Sequence, residues 1–119
     1  MGLDFSHGEA HWSYSGFMHF RNEITKHLGY TKTLSEMYDD GTYDVMQNEP
    51  IWPLINHSDC DGDLTVKEMK QIIPQLREIL LVWEKATPDQ TGFYETNRTK
   101  AFIESMEVAI EENEPLEFT

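Results

Sequence analysis

The chain has 119 residues, a formal net charge of −13 and a single cysteine, Cys60. That length suits one domain able to bury its own core, and one cysteine excludes an internal disulfide. Nine scattered basic residues form no stripe that could neutralise phosphates, so direct nucleic-acid binding is excluded as an expectation, and an anionic membrane would repel the chain.

In chain order, Leu3, Phe5, His7, Glu9, His11 and Ser13 alternate, which predicts a strand within residues 1–14. A helix follows over 16–28, with Phe17, Phe20, Ile24 and Leu28 at helical spacing, Ser13 or Ser15 as cap and Gly29 as stop. Thr33-Leu34-Ser35-Glu36 reads as a capping box opening a short helix toward Tyr38, ended by Asp40-Gly41. Residues 41–64 are irregular, yet they carry Ile51, Trp52, Leu54 and Ile55, so the loop is expected to be ordered.

The strongest helical signal runs over 66–86, from a second capping box at Thr65 and Glu68 through Met69, Ile72, Ile73, Leu76, Ile79, Leu80 and Trp83. Pro74 inside it predicts a kink or break. Thr87-Pro88 should open a further turn. A last helix is expected over 95–113, striped by Phe102, Met106, Ala109 and Ile110, and then an extended tail, Glu114 to Phe118, able to pair with the first strand. The fold class is therefore α+β and mainly helical, with a small sheet from the two terminal segments.

Three constellations could carry chemistry. With Gly62 as the turn glycine of a helix-loop-helix calcium loop, Asp59 and Asp61 take the third and fifth ligand positions and Glu68 the bidentate twelfth. Asp63 adds a further carboxylate. The first position holds His57, a poor calcium ligand, and the two prolines before it spoil the entering helix. The competing reading is a tight turn whose acids stabilise the start of the next helix. Ca2+ is thus a candidate cofactor and not a required one, and a calcium-binding interaction module with a degenerate loop of this kind is an alternative reading of the chain.

His7, Glu9 and His11 would share one face of a continuous strand and could hold a transition metal. Such a metal, or one at His57, is the only route to a hydrolase, and no complete catalytic set accompanies it. Trp12 and Tyr14 with Arg21 offer aromatic stacking beside one guanidinium, a minimal site for a nucleotide-like ligand. Core burial is the ordinary role of such rings. Finally, six glutamates and no base follow Lys100. Glu107, Glu111 and Glu112 among them could meet a basic protein, or simply keep the helix solvated.

Trp12-Ser13-Tyr14-Ser15-Gly16-Phe17, then Asn56-His57-Ser58-Asp59-Cys60-Asp61-Gly62-Asp63-Leu64, then Glu114-Pro115-Leu116-Glu117-Phe118 together resemble a family of small uncharacterised proteins encoded by bacteriophages and prophages. The resemblance implies an accessory protein in the cytoplasm of a host bacterium, binding a host protein or a small defence signal. Self-association stays open.

Overall fold

A computed structural model describes residues 2–57, 61–85 and 96–119. The turn expected at Thr87-Pro88 lies outside them. The fold is α+β and mainly helical. Its elements are β1 (Leu3–Asp4), β2 (His11–Trp12), α1 (Tyr14–His27), α2 (Leu34–Asp40), a 3-10 turn (Tyr43–Met46), α3 (Trp52–Ile55), β3 (Asp63–Leu64), α4 (Val66–Glu84), α5 (Thr96–Glu111) and β4 (Leu116–Glu117).

Local chemistry accounts for most element ends. Ser13 caps α1 by accepting from the Gly16 amide. Thr33 with Glu36, and Thr65 with Glu68, form reciprocal capping boxes on α2 and α4, each satisfying two amides that the first turn leaves without helical partners. Gly41 ends α2 in the left-handed region at φ 80°, where a side chain would be strained. Of the kink or break expected at Pro74, the break does not occur: helix α4 runs through it. Pro74 and Lys70 are both exposed, so the Lys70 carbonyl that loses its donor can turn to water.

The expected N-terminal strand is a hairpin. Leu3 pairs with Trp12 and Asp4 with His11, antiparallel, and Gly8 turns the chain at φ +71°. His7, Glu9 and His11 therefore do not share a strand face. His11 Nδ1 lies 2.7 Å from Asp4, His7 faces the end of α5, and Glu9 is exposed. The extended tail joins both halves of the structure. Leu116 and Glu117 pair with Leu64 and Asp63, while Phe118 bridges to Phe5 and the Thr119 amide donates to the Asp4 carbonyl.

These strands close over an aromatic core. Trp12 is fully buried and stacks on Phe20, with ring centres 4.6 Å apart and planes 20° off parallel. Phe102 packs edge-on against Trp12, and Phe5 against Phe118, geometries that suit the charge distribution of the rings. The apolar stripes of α4 and α5 complete the core. The 41–57 segment is held against α4 by glutamines: Gln75 accepts from the Ile51 amide and donates to Glu49, and Gln71 donates to the Pro50 carbonyl. Buried Ile51, Leu54 and Ile55 anchor it further. This anchoring fixes Ile55 and His57 opposite α1 and α2.

Candidate functional site

Between α1, α2 and the anchored loop lies a cleft of ≈ 390 Å³, lined by Met18, Arg21, Leu34, Ser35, Tyr38, Asp39, Tyr43, Ile55 and His57. Its volume falls at the small end of the roughly 300–1,000 Å³ typical of ligand sites. At its floor is Arg21, only 4% exposed. Its guanidinium donates to the carbonyls of Ile55 (3.3 Å) and His57 and lies 4.7 Å from the centre of the Phe17 ring. These contacts hold a positive charge in a fixed place, in surroundings poorer in water than the surface.

Two tyrosines form the aromatic wall. Tyr43 donates from its hydroxyl to the Ile55 carbonyl at 2.9 Å. Burial pushes its phenol above the usual value, against the opposing pull of the Arg21 charge, so it stays a protonated donor near neutral pH. Tyr38 stands edge-on to Tyr43, with ring centres 5.7 Å apart, and is 73% exposed. A large ring left in water beside a cleft is placed to stack on a flat ligand. Asp39 adds an acceptor at the rim.

Of the residues expected from sequence, Arg21 lines the cleft, but its aromatic partners differ. Trp12 is wholly in the core, and neither Trp12 nor Tyr14 lines the cleft. As placed, Trp12 offers no face to a ligand. The rings that line the cleft are those of Tyr38 and Tyr43. A faint signal for Tyr38 was present: it stands directly before Asp39 and Asp40 at the end of a helix, where core has little use for a ring.

The calcium-like loop shows competing uses for its ligands. His57 Nε2 lies 2.8 Å from the Asp63 carbonyl, the backbone oxygen that a calcium loop of this register supplies at its seventh position. The His57 ring stacks on Phe118 at 3.9 Å. Glu68 Oε1 accepts from the Thr65 amide at 2.9 Å. Asp61 and Asp63 are exposed, and Asp59 lies outside the described residues. A calcium ion would have to draw His57 and Glu68 away from these partners.

The acidic face is divided too. Glu107 pairs with Arg77, and Glu111 shares a groove with Lys70, Ile73, Pro74, Glu107 and Ile110. Glu112 faces His7 at 3.2 Å. Glu107 and Glu111, four residues apart, share a helix face, whereas Glu112 is turned about 100° from Glu111.

No protein-family model matches the chain, and neither a curated protein nor a solved structure does. Among the described residues, no helix is long and apolar enough to cross a membrane.

Proposed function

We propose that the protein is a binding protein of the phage accessory type that captures a small nucleotide-like signal in the cleft over Arg21. One observation carries the reading: a buried guanidinium at the floor of a cleft whose wall carries an exposed tyrosine. Each part suits one part of a mononucleotide. The Arg21 charge attracts the phosphate, Tyr38 stacks on the base, and Asp39 accepts from a ribose hydroxyl. The resemblance to phage and prophage proteins supplies the setting, a host cytoplasm in which sequestering such a signal would blunt a defence.

The buried cation and the exposed ring favour a binder. Ser35, Asp39 and His57 also line the cleft, so turnover of a captured nucleotide is the result that would turn the reading from binder to enzyme. Blocking a basic host protein through Glu107, Glu111 and Glu112 is the second reading, weakened by the internal partners of Glu107 and Glu112.

The test is to express tagged protein in bacteria and to analyse both small molecules and proteins that co-purify, by mass spectrometry. A nucleotide that co-purifies with wild type and is lost from Tyr38→Ala is expected. Tyr38 is exposed, so the variant should fold normally, and loss of stacking worth about 1–3 kcal/mol would weaken binding at least about fivefold. A host protein released by salt, with no small molecule, would favour the acidic face instead.

A further inference from the structure

His7, Glu112 and Glu114 come together from the two ends of the chain. Their ligand atoms, one imidazole nitrogen and two carboxylate oxygens, lie within 4.8 Å of one another. His7 Nε2 is 3.2 Å from Glu112 Oε2 and 3.0 Å from Glu114 Oε1. Ligand atoms about 2.0–2.1 Å from a tetrahedral zinc stand roughly 3.3 Å apart, close to both imidazole–carboxylate spacings, and the two carboxylates, within 4.8 Å of each other, can close on an ion by side-chain rotation at their exposed positions.

The backbone holds this arrangement independently of any ion. Helix α5 ends with the Glu114 amide donating to the Ala109 carbonyl and the Asn113 amide to the Ile110 carbonyl, and Asn113 sits in the left-handed region at φ 56°. This paired closure fixes Glu112 and Glu114 on either side of Asn113. On the other side, His7 is mostly buried, with 13% of its side chain exposed. Its Nδ1 lies 2.7 Å from Ser6 Oγ, which accepts from the Glu117 amide. If Nδ1–H donates to the Ser6 oxygen, the Nε2 lone pair points toward the two carboxylates, the orientation that metal-binding histidines take from such a neighbour.

Charge completes the case. A single Nε2–H can aim at only one of two carboxylates. Among the described residues, neither Glu112 nor Glu114 forms an ion pair with a lysine or arginine. The carbonyl end of α5 adds negative potential at the same place. A dication between the three side chains would offset all of it.

We propose that His7, Glu112 and Glu114 form a binding site for a divalent first-row transition metal, zinc foremost, that clamps the N-terminal hairpin to the end of the last helix. One imidazole with two carboxylates suits such ions, whereas calcium takes six to eight oxygens. A water completes the coordination. The site is separate from the Arg21 cleft and does not depend on its function.

The test titrates the full chain, freed of metal, with zinc and separately with cobalt. One equivalent of zinc should bind and raise Tm by roughly 5 °C or more at a concentration about a hundredfold above Kd. Cobalt should give the visible absorption of a low-coordinate site. Glu114→Gln, at an exposed position, and His7→Gln should each lose binding by at least about tenfold, and Ser6→Ala by a smaller factor. His11→Gln should bind as wild type does. No saturable zinc binding at about 100 µM, or His7→Gln and Glu114→Gln that bind as tightly as wild type, would overturn the proposal.

Discussion

Single residues carry most of what short-range chemistry determines here. Thr65 and Glu68 were readable as a cap from their spacing alone, because a capping box spans one helical turn and needs no distant partner. Thr65→Ala should lower stability by about 1 kcal/mol, measured as the shift in urea midpoint. Gly8 illustrates the opposite case. Its φ is +71°, and a Cβ there would meet Ser105 Oγ at 2.1 Å and Cβ at 2.9 Å. Its role depends on a helix almost a hundred residues away, so the alternation of His7, Glu9 and His11 concealed a turn. Asp40 sets an acid response. Its carboxyl is lowered from 3.8 to about 2, first by the hydrogen bond from Lys32 and then by those from Thr42. A lowered folded pKa means that the contribution is present above the unfolded value and fades as pH falls from about 4 toward 2. The difference in urea midpoint between wild type and Asp40→Asn should therefore be steady near neutrality and shrink across that window.

At the scale of elements, helices α1, α4 and α5 were legible because their apolar stripes repeat every three or four residues. Pro74 shows that the local rule is no strict stop: α4 continues through it, and at this exposed site the carbonyl that the proline leaves without a donor can turn to solvent. Of the strands, two residues each, those of the terminal segments and the tail's pairing with the first, seen at Phe5 and Phe118, were legible from alternation and Pro115, whereas the hairpin and the β3–β4 pair were not. The last pairing is set by the tail crossing between Phe5 and Gly62, which period alone does not reveal. Aromatic roles divide in the same way. Trp12 lies between His11 and Ser13 and Tyr38 between Met37 and Asp39, and only tertiary packing makes one core and the other surface. Phe102 belongs to the core side, fully buried against Phe5, Trp12 and Phe20. Phe102→Ala should cost about 3–5 kcal/mol, enough to lower Tm sharply in a thermal melt, and near-native stability would show that this cluster is not the organising core.

For the whole molecule, an overall charge of −13 coexists with a cleft built around a buried cation. Net charge is therefore a poor guide to the surroundings of Arg21: its guanidinium is buried, where charge is screened less, while the scattered surface carboxylates are screened. Arg21 was visible in sequence as a possible anion contact, but its neighbours Tyr38, Tyr43 and Ile55 were not, since they are gathered from three separate elements by the glutamine-anchored loop.

The most direct measurement is a heteronuclear NMR titration of the wild-type chain with AMP, using adenosine as the control. Shifts confined to Arg21, Tyr38, Asp39, Tyr43 and His57, saturable with AMP and much weaker with adenosine, are the expected result. No saturable shifts with any of the common nucleoside monophosphates, or shifts that leave these residues untouched, would contradict capture in the cleft.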